Sequence, residues 1–272
     1  MDFQLKDKTA IVAGGGRGIG KAIARELARE GVDVVIASRT LTELKFTADE
    51  LSAETGRRIV PVAFDVTNRD QVDQAISQAA DILGSIHILV NSASLPGGSP
   101  SATGPIESVN DTDLLSDFDV KYVGALRCAR SVIPFMKTQE WGRIINISGG
   151  NARVAGNLSG GARNVALVHL TKTLSTQLGR YGITVNCIHP GVTRTERTQT
   201  LLDPRAKELG ISVEQLERLD FAPDSSSGNA ICRMVEASEI GFLTAFLASD
   251  KAWAVTGEVI TAGGGIGNAV YY

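Results

Sequence analysis

The stretch Thr9-Ala10-Ile11-Val12-Ala13-Gly14-Gly15-Gly16-Arg17-Gly18-Ile19-Gly20 decides the fold predicted for this 272-residue chain. A short apolar run ends in a glycine cluster, and an amphipathic helical pattern follows directly, which predicts a strand, a turn and a helix. Glycines at 14, 18 and 20 allow a tight turn and a close approach to a diphosphate, and the helix N-terminus offers free N–H groups. A plain glycine turn is the alternative, but a second strand follows at the spacing of a βαβ unit, which favours a dinucleotide site.

Strand-like and helical patterns alternate along the whole chain, which predicts one doubly wound α/β domain over residues 1–272. Several strand-like runs are almost continuously apolar, as expected for a parallel, seven-stranded sheet covered by helices on both faces. The predicted strands are Thr9–Ala13, Asp33–Ser38, Ile59–Phe64, Ile86–Asn91, Arg143–Ser148, Ile183–Ile188 and Glu258–Thr261. The predicted helices are Ile19–Glu30, Leu41–Thr55, Asp70–Leu83, Asp111–Lys137, Ala162–Tyr181 and Ser238–Ala248.

The composition limits the kinds of molecule that we expect this chain to bind. A net charge of −3, with no basic run, gives no reason to expect a nucleic-acid partner. No stretch predicts a signal peptide or a membrane span, so we expect a cytoplasmic protein. Cys128, Cys187 and Cys232 lack metal-ligand spacing, so we expect reduced cysteines and no metal site.

Two irregular stretches follow predicted strands. Ser94–Glu107 is rich in Pro, Gly and Ser, and Thr193–Cys232 contains one short predicted helix, Val213–Leu219, and the Ser-rich run 224–229. Open α/β sheets bind ligands at the carboxyl ends of their strands. The segment 193–235 is therefore either a substrate lid or an ordinary surface loop.

The end of the second strand bears on the choice of cofactor. A carboxylate there would accept from a ribose 2′-hydroxyl, but the chain has Ser38 and Arg39, with Arg17 nearby in the glycine loop. Arginine binds phosphate through paired donors, which favours NADP over NAD. Both arginines could instead be solvated surface residues. Asp65, at the end of the third strand, either accepts from the adenine amino group or caps the next helix.

The chain resembles the short-chain dehydrogenase/reductase family along nearly its full length. The resemblance rests on several motifs in addition to the glycine loop. They are Asp65-Val66, Asn91-Ser92-Ala93-Ser94, Arg143 to Ser148, Gly182 to Gly191, and the tail from Thr256-Gly257-Glu258 to Gly263-Gly264-Gly265.

The resemblance implies a single Rossmann domain, a nicotinamide cofactor and a small-molecule substrate. It also implies a homodimer or homotetramer built on the helices 111–137 and 162–181, with no membrane partner. Asn91, Ser92 and Ala93 would line the adenosine ribose and the base of the nicotinamide pocket, and Pro190, Gly191 and Thr195 would approach the carboxamide and diphosphate. The cofactor residues predicted in this way are Gly14, Gly16, Arg17, Gly18, Ile19, Gly20, Ser38, Arg39, Asp65, Val66, Asn91, Ser92, Ala93, Pro190, Gly191 and Thr195.

The chain lacks part of the family's catalytic motif. Its members use a tyrosine as proton donor, a lysine four residues later, a serine near the substrate carbonyl and an asparagine in the proton relay. Counting back along the helical segment from Asn186 places Gly160 at the tyrosine position and Asn164 at the lysine position. Lys121 stands where the asparagine belongs, so lysine and asparagine have exchanged positions. The serine is Ser148, unless Gly149 holds the equivalent place.

Two interpretations of Lys121 stay open. Its ammonium either lies near the nicotinamide ribose or is an ordinary solvated lysine. The glycine pair Gly160-Gly161 is expected to weaken the start of its helix and to leave a void where a phenol would stand. Replacement proton donors are Lys121, Ser148, Ser159 or water, because Arg163 is too basic and His169 and His189 are expected to have packing roles.

Three functions are therefore compatible with the sequence. The first is an NADP(H)-dependent oxidoreductase acting on a carbonyl or alcohol with a non-standard proton relay. The second is a catalytically inactive NADP(H)-binding homologue, for instance a regulatory subunit. The third is the use of the same fold for a non-redox reaction. Hydride transfer to a carbonyl needs a proton for the alkoxide, and a positioned acid contributes about 10²–10⁴-fold, so the loss of the phenol is severe.

Overall fold

A computed structural model of the chain describes residues 2–225 and 228–267. Within those ranges the predicted doubly wound α/β fold is confirmed, with a seven-stranded parallel sheet in the order β3-β2-β1-β4-β5-β6-β9. These strands are β1 (Thr9–Ala13), β2 (Asp33–Ser38), β3 (Ile59–Ala63), β4 (Ile88–Asn91), β5 (Gly142–Ile147), β6 (Ile183–Pro190) and β9 (Val259–Ala262). The order reverses between β1 and β4, which opens a crevice above the carboxyl ends of these two strands.

Helices cover both faces of the sheet. They are α1 (Gly18–Arg29), α2 (Leu41–Thr55), α3 (Arg69–Leu83), α4 (Asp111–Phe118), α5 (Gly124–Thr138), α6 (Leu158–Leu178), α7 (Thr198–Leu209), α8 (Val213–Asp220) and α9 (Ala237–Ala248). One core layer packs α1, α2 and α9 on the sheet, and the other packs α3, α5 and α6. Every residue of β1 is buried, because this central strand has helices on both sides.

The predicted helix Asp111–Lys137 is wrong in one respect, since it is not a continuous α-helix. A π-helical turn at Asp119–Val123 separates α4 from α5. A π-turn inserts a residue into the helical repeat and is frequent at functional sites. The π-turn changes the face of the helix on which Lys121 lies. A regular repeat of 3.6 residues per turn therefore does not predict that face correctly.

The helix predicted at Ala162–Tyr181 begins earlier, at Leu158. The Asn157 side chain accepts from the Gly160 N–H and caps this helix, so the glycine pair does not delay its start. The segment then ends as α-helix at Leu178 and continues as one 3₁₀ turn, Gly179–Tyr181.

The segment after β6 is more regular than the sequence predicts. The predicted short helix is present as α8, with a capping box from Ser212 and Gln215. The helix α7 was not predicted, since Pro204 lies inside it. A two-residue parallel ladder between β7 (Thr193–Arg194) and β8 (Val235–Glu236) closes the base of the segment. Of the Ser-rich run 224–229, positions 226 and 227 lie outside the described residues.

Candidate functional site

The glycine loop after β1 is shaped by close backbone contacts. Gly14 has φ +84°, and a Cβ at this position would lie 2.7 Å from the backbone of Ser92 and Ala93. A Cβ at Gly20 would lie 2.1 Å from the Gly14 carbonyl oxygen. The Gly14 N–H donates to Ala37 O at 2.7 Å, so β2 also holds the turn. Only glycine fits these two positions, and the loop is therefore built for the close approach of backbone to ligand.

The first turn of α1 contacts the segment that follows β7. Arg17 is the N-cap residue, and its side chain makes no capping bond. Gly18, with φ +58°, and the half-buried Ile19 follow. The Gly18 N–H donates to Glu196 Oε1 at 2.8 Å, and Thr195 Cγ2 would lie 3.7 Å from a Cβ on Gly18. A helix N-terminus with a bound carboxylate is an anion site.

The end of β2 presents a polar group without a partner. Ser38 Oγ is buried and makes no hydrogen bond, and it would lie 3.5 Å from a Cβ on Gly16. Arg39 is exposed, and the Arg17 side chain is 58% exposed with Glu43 at 3.7 Å. Both arginine side chains are thus accessible, and the unsatisfied hydroxyl belongs to the residue directly before Arg39. These groups fit a 2′-phosphate on the adenosine ribose.

Asp65 and Val66 lie at the end of the neighbouring strand β3. Asp65 Oδ1 accepts from the Thr67 N–H and hydroxyl at 2.9 and 2.8 Å. Asn68 is the N-cap of α3, so the interpretation of Asp65 as that cap is wrong. Val66 packs on α5, where a Cβ at Gly124 would lie 2.9 Å from the valine.

Two amides and a hydroxyl form a hydrogen-bonded chain from β4 across β5 to α6. Asn91 Nδ2 donates to Asn146 Oδ1, and Asn146 Nδ2 donates to Thr171 Oγ1, both at 2.9 Å. Asn91 Oδ1 is buried without a partner. The next residue, Ser92, donates its N–H to Ala13 O at 2.8 Å. An orphaned acceptor at the crevice is consistent with a bound ligand, because buried polar groups are normally satisfied.

The end of β6 closes the other side of the crevice. The Gly191 N–H donates to Ala262 O at 3.0 Å, directly after Pro190. A Cβ at Gly191 would lie 2.7 Å from Gly263 Cα, so β6 and β9 approach closely here. Thr195, directly after β7, lies over Gly18, so these two predicted cofactor residues lie close together.

Lys121 is not the solvated lysine of the alternative interpretation. Its side chain is only 7% exposed, and Nζ donates to Ser148 O at 2.9 Å. Burial, and to a smaller extent the charge of Arg163, lowers the pKa of Lys121 from 10.5 to about 7. The ammonium therefore lies at the carboxyl end of β5 and titrates near neutral pH.

The Ser148 side chain is bonded to the backbone of α6. Its hydroxyl donates to the Asn164 carbonyl oxygen at 3.1 Å and is buried against α6. A Cβ at Gly149 would instead lie 2.7 Å from Asn164 Nδ2. Gly149 therefore faces the amide at the predicted lysine position, and Asn164 Oδ1 has no partner.

The void expected at Gly160 is filled. A Cβ at Gly160 would lie 2.9 Å from Asn157 Oδ1 and 3.0 Å from Asn151 Nδ2. The Asn157 side chain also donates to Gly97 O at 2.8 Å, which ties α6 to the loop after β4. Because Asn157 caps α6, its side-chain amide lies next to Gly160, where the ring of a tyrosine would have to fit.

A buried ionic network was missed in the sequence. Asp117, on α4, accepts from Ser159 Oγ at 2.5 Å and from the Ser99 N–H at 2.8 Å. The Arg163 guanidinium lies 3.9 Å from Asp117 and donates to Leu95 O at 2.8 Å. Burial alone would raise the pKa of Asp117, but these hydrogen bonds and the arginine charge lower it. The available signal was the spacing of Ser159 and Arg163, one helical turn apart on α6.

Of the two histidines expected to have packing roles, His169 and His189, only His189 is buried. His189 is buried, and burial lowers its pKa to about 4, so it is neutral at neutral pH. His169 is exposed on α6.

Residues 2–225 and 228–267 hold neither a membrane-spanning helix nor a metal cluster. None of the helices there combines the length and the apolar character needed to cross a bilayer. Those residues also contain no group of three or more His, Cys, Asp or Glu side chains placed to hold a metal ion.

Comparison with known proteins places this geometry in a family. The family model for short chain dehydrogenases matches residues 8–206. The NADPH-dependent reductase BacG of Bacillus subtilis (strain 168) is 31% identical over 264 residues, which cover 96% of this chain and 98% of BacG. The crystal structure of L-sorbose reductase from Gluconobacter frateurii, complexed with NADPH and L-sorbose, has a TM-score of 0.91 and 27% identity, covering 99% of this chain and 100% of that one.

A second solved structure, of the NADPH-dependent reductase YwfH involved in bacilysin biosynthesis, has a TM-score of 0.84 and 30% identity. The match covers 97% of this chain and 99% of YwfH. With the family model matching well over half of its residues, the chain belongs to the short-chain dehydrogenase/reductase family.

Proposed function

We propose that this protein is an NADP(H)-dependent oxidoreductase that acts on a carbonyl or alcohol substrate and uses Lys121 as its proton donor. The observation that carries this proposal is the burial of the Lys121 ammonium, 2.9 Å from Ser148 O at the carboxyl end of β5. A buried, singly hydrogen-bonded amine is costly for stability, and such groups are typical of functional sites.

The residues present fit NADP(H). Gly14 and Gly20 form a cradle that any side chain would fill, and the N-terminus of α1 already holds a carboxylate. Ser38 Oγ lacks a partner, and Arg17 and Arg39 are both exposed. The names of BacG, YwfH and the L-sorbose reductase complex all mention NADPH, which supports the same cofactor here.

The bound nicotinamide supplies the hydride of such a reaction, and the chain must supply the proton. The alkoxide that forms from the carbonyl accepts a proton from the Lys121 ammonium, which becomes a neutral amine. A pKa of about 7 suits this role, since the ammonium and the amine are then both populated at neutral pH. Arg163 assists by lowering the affinity of Lys121 for its proton.

Other residues at the site position the reactants. Asn164, whose buried Oδ1 has no partner, would accept from a ribose hydroxyl of the cofactor. Ser148 fixes the end of β5 against α6 through Asn164 O, and its carbonyl orients Lys121. The segment 193–235, which contains α7 and α8, acts as the substrate lid because it begins directly after β6, at the carboxyl edge of the sheet.

The assembly that we propose is a homodimer or homotetramer through the helices 111–137 and 162–181. The outer face of α6 carries Val165, which is 50% exposed, next to the exposed His169. An exposed apolar side chain on a long helix is consistent with a subunit interface. Light scattering after size-exclusion chromatography measures the state, and a monomer would contradict this part.

The test is NADPH consumption with a panel of ketones and aldehydes, followed at the NADPH absorbance band. We expect turnover by the natural protein and a loss of about 10²–10⁴-fold in Lys121→Met. Lys251→Met is the matched control, because Lys251 is exposed near the opposite edge of the sheet. NADPH fluorescence should give equal binding in all three proteins. Equal rates for Lys121→Met and the natural protein would contradict the proposal.

A second function is favoured by one observation. Gly149 and Gly160 have no side chains, so the site lacks both a hydroxyl and a phenol at these two positions. Tight NADPH binding without turnover on any panel member would support a non-catalytic NADP(H)-binding homologue.

A further inference from the structure

The N-terminus of α1, the place expected for the cofactor diphosphate, is occupied by the chain itself. The Gly18 N–H donates to Glu196 Oε1 at 2.8 Å. The Thr195 methyl group would lie 3.7 Å from a Cβ on Gly18. Two successive residues therefore cover the same glycine, one with a carboxylate and one with a methyl group.

A carboxylate and a phosphate compete for such a position. Both are stabilised by the free N–H groups and by the positive end of the helix dipole, and two anions at one helix N-terminus repel each other. Arg17, the N-cap residue, makes no side-chain bond to this turn, so the Gly18 N–H is left to whichever anion binds. A diphosphate that reaches Gly18 has to displace Glu196.

The displaced residue lies at the root of the segment proposed as the lid. Glu196 connects β7 to α7 and is itself exposed. The preceding Arg194 is fixed by ion pairs to Glu236 and Glu217. The Thr195 N–H donates to Thr198 Oγ1 at 2.9 Å. The stretch 194–198 is thus held on both sides of the carboxylate, which keeps Glu196 at Gly18 when no ligand is bound.

We infer that Glu196 is a built-in competitor of the cofactor diphosphate and sets the affinity of the protein for its dinucleotide. This inference rests on the proposed NADP(H) binding. Every molecule of cofactor that binds must break the contact between Gly18 and Glu196, and every molecule that leaves allows the contact to form again. The intramolecular anion thereby weakens binding and favours release.

The experiment compares dissociation constants of three ligands by calorimetry. NADPH and 2′-phospho-ADP-ribose carry the diphosphate, and adenosine 2′-monophosphate lacks it. We expect Glu196→Gln to bind the first two ligands about 3- to 10-fold more tightly and the third unchanged, from the usual strength of a charge at a helix N-terminus. Glu208→Gln, which removes an exposed charge from α7, should change none of the three.

Glu196→Asp distinguishes two ways in which Glu196 could weaken binding. One is the hydrogen bond of its carboxylate to the Gly18 N–H, and the other is the repulsion between its charge and the diphosphate. Aspartate keeps the charge but is one methylene shorter, so it no longer reaches the Gly18 N–H. We expect it to resemble Glu196→Gln, and an affinity equal to that of the natural protein would overturn the inference. The thermal midpoint supplies a second readout, which should fall in Glu196→Gln without ligand and stay unchanged with saturating NADPH.

The failures of the two proposals can be told apart. If every variant binds NADPH with the affinity of the natural protein, the role of Glu196 is wrong and the proposed function stands. If neither the natural protein nor the variants bind NADPH or 2′-phospho-ADP-ribose, the proposed function is wrong and the inference falls with it.

Discussion

The two ends of the crevice differ in whether backbone or side-chain atoms form the site. At the end proposed for the diphosphate the site is made of backbone, since Gly14 and Gly20 leave no room for a Cβ. At the end proposed for the nicotinamide the site is made of side chains: Asn157 and Asn151 flank Gly160, Lys121 contacts Ser148 O, and Asn164 faces Gly149. A backbone site is fixed by the turn that forms it. A side-chain site can be replaced residue by residue while the fold persists, and here the family's catalytic groups are predicted to have been replaced in this way.

The largest effect is expected from a change in the backbone site. In Gly20→Ala the new Cβ would lie 2.1 Å from Gly14 O, so the turn or α1 has to move. We expect NADPH binding to weaken at least about 100-fold, or roughly 2.7 kcal/mol. The free energy of unfolding should fall by about 3 kcal/mol. Calorimetry and chemical denaturation measure the two effects.

Gly179→Ala is the matched control for that change. Gly179 has φ −54°, and a Cβ there would meet nothing within 4 Å. We expect the free energy of unfolding to stay the same or to rise by up to about 1 kcal/mol. If Gly20→Ala were tolerated as well as Gly179→Ala, the diphosphate end would not be a backbone site.

A smaller effect is expected from rebuilding the side-chain site. The triple variant Lys121→Asn, Gly160→Tyr and Asn164→Lys restores the arrangement typical of the family, and a second variant carries the same changes without Gly160→Tyr. We expect the phenol to raise the NADPH-dependent reductase rate by about 10- to 100-fold, near the lower end of general-acid effects because Asn151 and Asn157 crowd position 160. Equal rates in the two variants would mean that the nicotinamide end no longer admits a family-type donor.

The smallest effect concerns cofactor choice at the edge of the backbone site. Arg39 is exposed at the end of β2, beside the unpartnered Ser38 Oγ. We expect Arg39→Ala to weaken NADPH binding about tenfold and to leave NADH binding unchanged, as the loss of one exposed charge-assisted bond implies. Arg180→Ala, exposed beyond α6, is the control. An equal loss for both cofactors would contradict recognition of the 2′-phosphate.

The sequence predicted the backbone site better than the side-chain site, for a physical reason. Alternation of apolar strands and amphipathic helices predicts the sheet, and a strand such as β1 is buried over its whole length because it is central. Glycine positions in a loop report directly on backbone geometry. The loop, the crevice and all seven strands of the sheet could therefore be located from local patterns.

The surroundings of Lys121 could not be predicted in this way. The π-turn at Asp119–Val123 breaks the regular period by which a helix face is assigned, so burial of Lys121 does not follow from its position in the sequence. The crowding of Gly160 depends on Asn157, whose capping role becomes visible only once the start of α6 is known. Glu196 meets Gly18 across 178 positions in the chain, and no local signal predicts that contact.

The most direct test of the account is the pH dependence of kcat for reduction at saturating NADPH and carbonyl substrate. Lys121 must be protonated to donate, and its pKa is lowered to about 7. We predict a rate that is constant below that pH and falls about tenfold for each further pH unit above it. Oxidation of the alcohol should show the opposite dependence. A reduction rate that stays constant up to about pH 10, as expected for an unperturbed lysine or tyrosine, would contradict Lys121 as the proton donor.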